Sequence, residues 1–532
     1  MKYDFVITTD RTMMTNHHGR EFLGFLTTSP AIGIPERLWM WICAPKPKVD
    51  KEGKPVEAPY GLRKIEAALI DAGFKAAIID PDYLSKHLPK AKALLIGHHD
   101  FFGLCAPSNT WWAVIKKEPV NRKSFIALMN SRPVREFKSH GGKIIIGGPA
   151  VWQWLHMEEL WEKWGVDTII DGEGEKVIVD IAQRVLDGRP LPKYVYTSPK
   201  EAPSIEEIPT IKGASVNGLI EIMRGCPRGC KFCSVTLRPL RFMPIEKIIE
   251  EIRVNTKAGV HHLLLHSEDI LLYGADGVKP REEPLMKLHN AVLSEDVDSL
   301  SWAHVSLAAV VYAQRNGRIM TKLTDLIYSR VEQNTIGVQT GIETGSPRLA
   351  KIIMPGKAAP YPPEKWPDIV EEAFSIMADN NIIPAATIIL NIPEETPDDV
   401  IKTIELIDRL KDYPGLIVPM YFVPLGVLKN KKELLNFRIK AEHVEAMWAC
   451  LEYSLRWAPK LADAYLSKHP LVRLGVRVLL EIIKFKKKSL EGRVRQLIEE
   501  ASKGAYTHKT VSYTHLRAHE TSLHLVCRLL LE

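Results

Sequence analysis

The chain has 532 residues, 45% of them apolar and 25% charged, with a formal net charge of +7. That length exceeds what one hydrophobic core serves, so two or three domains are expected. The modest charge points away from nucleic-acid binding, and no stretch approaches the roughly 18 to 20 apolar residues of a membrane span.

The seven cysteines, Cys43, Cys105, Cys226, Cys230, Cys233, Cys450 and Cys527, are too few and too uneven for a disulfide framework. Met1–Arg20 carries Asp4 and Asp10 and no long apolar run, so no signal peptide is expected and a reducing cytoplasm is the expected compartment.

Residues 1–36 show no clear period and read as an N-terminal extension. Over 37–193, short apolar runs alternate with helical patterns. Leu38–Pro45 is a candidate buried strand, followed by Lys75–Asp80, Lys92–Gly97, Lys143–Gly148 and Asp167–Gly172, while Gly61–Phe74 has helical spacing. Strands that are apolar throughout and separated by helices predict a doubly wound, Rossmann-like α/β domain, with ligands at the carboxyl ends of its strands. Gly147, Gly148 and Pro149 fall at one such end, and Gly172, Glu173 and Gly174 at the next.

The proline-bearing stretch 194–211 reads as a linker. Residues 212–430 hold six further strand candidates: Leu219–Met223, His261–His266, Leu300–Ser306, Thr335–Ile342, Ala385–Leu390 and Leu416–Phe422. Intervening helical patterns make six β/α units, a partial (β/α)6 barrel. Residues 431–510 read as a C-terminal helical region. Val511–Glu532 back-translates to sequencing-adapter DNA and is excluded from the fold.

Cys226, Cys230 and Cys233 follow the first barrel strand, at the face where barrel enzymes place their chemistry. Structural zinc wants four ligands, and no second cysteine knuckle accompanies these three; His261, His262 and His266 are the remote alternative. An iron–sulfur cubane fits three thiolates better, because it leaves one iron open to a ligand.

"CPRGCKFC", with Phe232 before the last cysteine, resembles the signature of the radical S-adenosylmethionine (SAM) superfamily. The resemblance implies a 4Fe-4S cluster held by the three cysteines, SAM on the open iron, and a 5′-deoxyadenosyl radical. "IGVQTGIETGSPRLAKIIMPGK" is similar to the family's fourth-strand segment, which implies that Glu343, with Gln339 nearby, approaches the SAM ribose. "HSED" stands at the second-strand motif, where Glu268 or Asp269 would hold the SAM ammonium. "LNIPEETPDDVIKTI" resembles the segment after the fifth strand, but Asn391 and Glu394 stand where that pattern has glycines.

The first domain, placed before such a barrel, resembles the cobalamin-binding domain of cobalamin-dependent radical SAM enzymes. That implies cobalamin at Gly147, Gly148, Pro149, Gly172, Glu173 and Gly174. The usual Asp-x-His-x-x-Gly motif for a lower axial histidine is missing; "GHHDFFG" has its residue types in another order.

The expected activity is radical methylation of an unactivated carbon in a small molecule, peptide or lipid, with an electron donor such as ferredoxin or flavodoxin. The alternatives are carbon–carbon bond formation in a lipid chain, as in tetraether ring synthases, and a non-catalytic cobalamin-binding module. Leu471, Leu474, Val478, Ile482 and Phe485 recur at helical spacing beside Lys484 and Lys486–Lys488, which adds a possible peripheral membrane contact.

Overall fold

A computed structural model of the chain describes residues 2–429, 431, 437–466, 470–485, 491–492, 498–499 and 507–508. Its first sheet has six parallel strands: β1 (Phe5–Thr8), β2 (Ala76–Ile78), β3 (Ala93–Gly97), β4 (Lys143–Gly147), β5 (Thr168–Asp171) and β6 (Tyr194–Tyr196). Their order is β2-β1-β3-β4-β5-β6. Successive side chains leave opposite faces, so each strand must be apolar throughout to bury both. Phe5, Ile7, Leu95 and Ile145 meet Leu62, Leu69, Ile178 and Ile181 of the covering helices. Val6, Leu94, Ile96 and Ile144 meet an aromatic core of Phe101, Phe102, Phe125 and Trp154 on the other face.

Three expectations are corrected here. Residues 1–36 are not an extension, because β1 pairs with both β2 and β3 inside the sheet. Leu38–Pro45 is not a strand: Glu36–Cys43 is a helix that buries Trp39, Ile42 and Cys43 and leaves Leu38 and Trp41 outside. Spacings of three and one match a helical face, whereas an apolar run alone cannot tell helix from strand. The stretch 194–211 begins as β6, paired to β5 through Tyr194, Val195 and Tyr196, so it is no plain linker.

The second unit carries β7 (Leu219–Glu221), a short antiparallel pair β8 (Met223–Arg224) and β9 (Arg241–Phe242), then β10 (His262–His266), β11 (Ser299–Trp302), β12 (Ile336–Glu343), β13 (Ile382–Leu390) and β14 (Leu416–Tyr421). All six strand candidates from 212–430 are present. They form two parallel three-strand sheets, β11-β10-β7 and β12-β13-β14. A parallel bridge between His304 and Gln339 joins them: the Gln339 N–H donates to Ala303 at 2.8 Å and its carbonyl accepts from Val305 at 3.1 Å. The helices Ile245–Lys257, Trp366–Asp379 and Pro397–Arg409 supply helical crossovers between these strands, in line with the expected β/α alternation.

The C-terminal region is helical over Ala441–Tyr465 and Pro470–Phe485. The second helix buries Val472 with Leu23 and Ile42, and Leu479 with Trp39, in the N-terminal segment. Its other face leaves Leu471, Leu474, Val478 and Phe485 exposed. Lys486–Lys488 and Val511–Glu532 lie outside the described residues. Among the described residues no helix is long and apolar enough to cross a membrane.

Candidate functional site

The carboxyl ends of the first sheet open into a cavity of about 550 Å³ bounded on its far side by the second unit. Gly147, Gly148, Pro149, Gly172, Glu173 and Gly174 all line it, together with Gly97, His98 and His99 at the end of β3. Leu219, Ser234, Leu237, Arg238 and His266 line it from the second unit.

The glycines differ in their reasons. Gly148 (φ +107°) and Gly172 (φ +122°) hold left-handed backbone, and a Cβ there would strike the backbone of His98 at 2.9 Å and of Thr197 at 2.6 Å. These two serve the crossing of chain segments. A Cβ at Gly147 would meet nothing within 4 Å, so this glycine keeps space open on the cavity side. An open glycine floor at the strand ends is what a flat, bulky ring such as a corrin requires, and the residues fit that group.

Glu173 lines the cavity, but its carboxylate is engaged. Arg224 donates to it at 2.7 Å, and Arg241 donates to both oxygens. Arg224 also pairs with Glu175 at 2.6 Å and Glu221 at 2.8 Å. All five side chains are nearly buried. Glu173 thus stands on the cavity wall with its charge neutralised by two arginines of the second unit.

His98 is closed as well. Its Nε2 pairs with Asp10, and its Nδ1 accepts from the Asp100 N–H at 2.7 Å. Burial alone would raise the Asp10 carboxyl; His98 and Thr12 outweigh burial and hold it below the ordinary range.

The cysteine loop leaves β8 at Gly225 (φ +83°), where a Cβ would strike the carbonyls of Pro239 and Arg238. Cys230 is buried and Cys226 and Cys233 are half-buried. Burial pushes the Cys226 thiol up to about 12 and Cys230 to about 11, and raises Cys233. The cations Arg228 and Lys357 oppose this at Cys230 and favour its thiolate. Among the described residues no three His, Cys, Asp or Glu side chains converge on one ion-sized point. A cubane does not ask for that, since each thiolate binds a different iron, and the three thiols on one cation-flanked loop fit it.

Arg228 braces the loop. Its guanidinium donates to the carbonyls of Gly356 (3.2 Å), Lys357 (3.1 Å) and Ala359 (2.9 Å), and pairs with Asp269 at 3.3 Å. A Cβ at Gly356 would overlap the Arg228 carbonyl, so the two segments touch. Sequence reading missed Arg228 and Lys357, although both lie inside the motifs that it quoted.

Asp269 is fully buried and accepts from Arg228, Ser306 and the Leu271 N–H. Glu268 is half-buried and close enough to Cys233 for its charge to raise that thiol. Of the two acids, Glu268 is the one open to a ligand. Glu343 sits at φ +63°, paired with Lys357 and accepting from Thr387 at 3.1 Å. Gly341 must lack a side chain, because a Cβ there would occupy the place of this pair. Gln339 lies at the bridge between the two sheets, and Phe232 packs on the core beside Cys233. The cavity above does not include Cys226, Cys230, Cys233, Glu268, Gln339 or Glu343. It reaches the cysteine loop through Ser234 and through Gly426, whose Cβ would press on the Cys233 backbone at 2.7 Å.

Asn391 (φ +62°) and Glu394 (φ +70°), which stand where the resembled pattern has glycines, both keep left-handed backbone. The Asn391 N–H is held by the Glu395 carboxylate at 3.0 and 3.1 Å. The turn is retained although the glycines are not.

Comparison with known proteins bears on this geometry. The tRNA-2-methylthio-N(6)-dimethylallyladenosine synthase of Thermotoga petrophila is 23% identical over 346 residues, 64% of this chain and 70% of that protein. The ribosomal protein uS12 methylthiotransferase RimO of Flavobacterium johnsoniae is 33% identical over 91 residues, 17% of this chain and 20% of that one. The solved radical SAM methyltransferase TsrM from Kitasatospora setae, with cobalamin and a 4Fe-4S cluster bound, superposes with a TM-score of 0.50 at 12% identity, covering 81% of this chain and 75% of that one. This last likeness is one of fold. Residues 220–407 match the family model described as Radical SAM superfamily, and this part of the chain is a radical SAM domain.

Proposed function

We propose that the chain is a cobalamin-dependent radical SAM enzyme that methylates an unactivated carbon. The observation that carries this reading is the single cavity that joins the glycine-floored strand ends of the first sheet to the edge of the cysteine loop, through Ser234 and Gly426. When bound, a 4Fe-4S cluster and SAM supply a 5′-deoxyadenosyl radical, and cobalamin supplies a transferable methyl group.

The chain's own residues hold and orient. Cys226, Cys230 and Cys233 are the ligands of the cluster, with Lys357 and Arg228 balancing thiolate charge. Glu268 receives the SAM ammonium, while Asp269 is kept from it by Arg228 and Ser306. Glu343, oriented by Lys357 and Thr387, faces the ribose with Gln339. Gly147 admits the corrin. The buried Arg224–Glu173 pair keeps the two sheets at fixed separation. Leu219 and Leu264 give the cavity apolar wall on the side of the second unit and exclude water there.

The test is anaerobic reconstitution with iron, sulfide and hydroxocobalamin, followed by reduction with SAM. Release of 5′-deoxyadenosine together with bound cobalamin supports the reading. A reconstituted protein that retains cobalamin and never cleaves SAM returns it to a binding module.

A second reading, carbon–carbon bond formation in a lipid chain, draws on one observation: Leu471, Leu474, Val478 and Phe485 are exposed on one helix face, suited to the surface of a bilayer. Flotation with anionic vesicles tests it; protein that stays in the dense fraction at low salt removes its support.

A further inference from the structure

A cluster of polar side chains in the cavity is assigned to neither cofactor in the proposed function. Glu21 enters from the N-terminal segment, His99 from the end of β3, His266 from the end of β10, and Arg238 from the chain beyond the cysteine loop. His304 stands behind His266, ring centroids 6.0 Å apart and nearly perpendicular. Its Nδ1 is buried without a hydrogen-bond partner. The charge of His304 bears on Glu21, so the group spans both sheets. Arg238 is half-buried and forms no ion pair among the described residues, in contrast to Arg224, Arg228 and Arg241 nearby.

We infer that Arg238, His99, His266 and His304, with Glu21 at their edge, form the substrate subsite, and that it takes an anionic oxygen group, a carboxylate or a phosphate monoester. The inference rests on the proposed function above and names its substrate class.

The chemistry follows from the side chains. A guanidinium offers a planar fork of donors that matches two oxygens of an anion. Arg238 is the cation of this cavity that no carboxylate already holds: Lys429, also on the wall, pairs with Asp171 at 3.4 Å. His266 is half-buried, burial pulls it down to about 4, and it is a neutral imidazole with one N–H to donate; His99 stands exposed on the same wall and offers a second imidazole. Glu21 is exposed at the edge of the cluster, where solvent screens its charge from an incoming anion. Glu268, whose charge also reaches His266, is the acid assigned to SAM. A bare alkyl chain in this place would strip water from Arg238, His99 and His266 and return no hydrogen bonds, the costly way to bury polar groups. The subsite therefore favours a polar substrate over the hydrocarbon of the second reading.

The experiment is calorimetric titration of the full reconstituted chain with octanoate, octyl phosphate and octanol, which share one alkyl length. At least one anion is expected to bind saturably, with octanol about tenfold weaker or worse, and whichever anion wins identifies the head group. Arg238→Ala should weaken the anion by about tenfold, with partial recovery in Arg238→Lys, and His266→Gln should weaken it less. Octanol binding as tightly as both anions, no anion binding to the wild type, or anion affinity unchanged in both Arg238→Ala and His266→Gln overturns the inference. Iron content and cobalamin absorbance, measured on the same samples, report on the cofactor reading separately. If Arg238→Ala does not fold by circular dichroism, His266→Gln and Arg238→Lys decide.

Discussion

Arg224, two residues before the first cysteine of the cluster loop, donates at 2.7 Å to Glu173 at the carboxyl end of the first sheet. The pair ties the site of one expected cofactor to that of the other. Arg224 is nearly buried and is also held by Glu175 and Glu221. Burial disfavours its charge, but these carboxylates outweigh burial and hold it firmly protonated.

Removing Arg224 leaves three carboxylates buried with less compensation. Arg224→Ala should destabilise the chain by about 3–5 kcal/mol in a urea titration. Glu173→Gln keeps an acceptor for the arginines and should cost about 1–3 kcal/mol. Equal and small effects of both would show that the hub does not hold the sheets together.

Asp399 supplies a pH prediction. It accepts from Ser346, Arg348 and the Thr396 N–H that begins the helix Pro397–Arg409. Burial alone would raise its carboxyl, but these donors outweigh burial and hold it well below the ordinary 3.8. A depressed folded pKa gives stability that is present above pH 3.8 and is lost as pH falls below it. Asp399→Asn should cost about 1–2 kcal/mol at pH 7, discounted for the half-exposed Arg348, and the gap to wild type should narrow at pH 3. Thermal melts at both pH values check this; a constant gap contradicts it.

The left-handed turn at 391–394 gives a third. Glu394 lacks the local hydrogen bonding that lets asparagine tolerate positive φ. Glu394→Gly should therefore stabilise by up to about 1 kcal/mol, and Asn391→Gly should change stability by less than about 0.5 kcal/mol. Thermal denaturation of the two variants measures the difference; a destabilised Glu394→Gly would mean that the side chain itself is needed.

His98 bears on the axial ligand of cobalamin. With Nε2 facing Asp10 and Nδ1 accepting from Asp100, neither nitrogen is free for cobalt. Electron paramagnetic resonance of bound cob(II)alamin should show no nitrogen splitting from His98. Splitting that disappears in His98→Ala would refute this.

The second unit was the more legible half of the sequence. Its strands are bracketed by long amphipathic helices, and its three cysteines have few chemical uses at that spacing. The first unit was harder at its edges. β1 is four residues long, and Phe5–Thr8 shows no alternation because both its faces are buried. Glu36–Cys43 reads as an apolar run until its exposed Leu38 and Trp41 reveal a helical face. In the site, the motifs named Glu343 and Glu173 but not their partners Lys357 and Arg224. Which carboxylate is open and which is paired depends on contacts between residues 14 to 51 positions apart, and spacing alone does not carry that. Asp269 and Glu268 are adjacent in sequence, and only the placement of Arg228 and Ser306 separates their roles.

The most direct test of the whole account is the iron content of anaerobically reconstituted protein. Wild type, Cys43→Ala and Cys450→Ala should each hold about four irons per chain, since Cys43 and Cys450 are buried and each stands alone in the sequence. Cys226→Ala, Cys230→Ala and Cys233→Ala should each lose the cluster's absorbance and all SAM cleavage. Full iron content and SAM cleavage in Cys230→Ala would contradict the assignment of this loop as the cluster site.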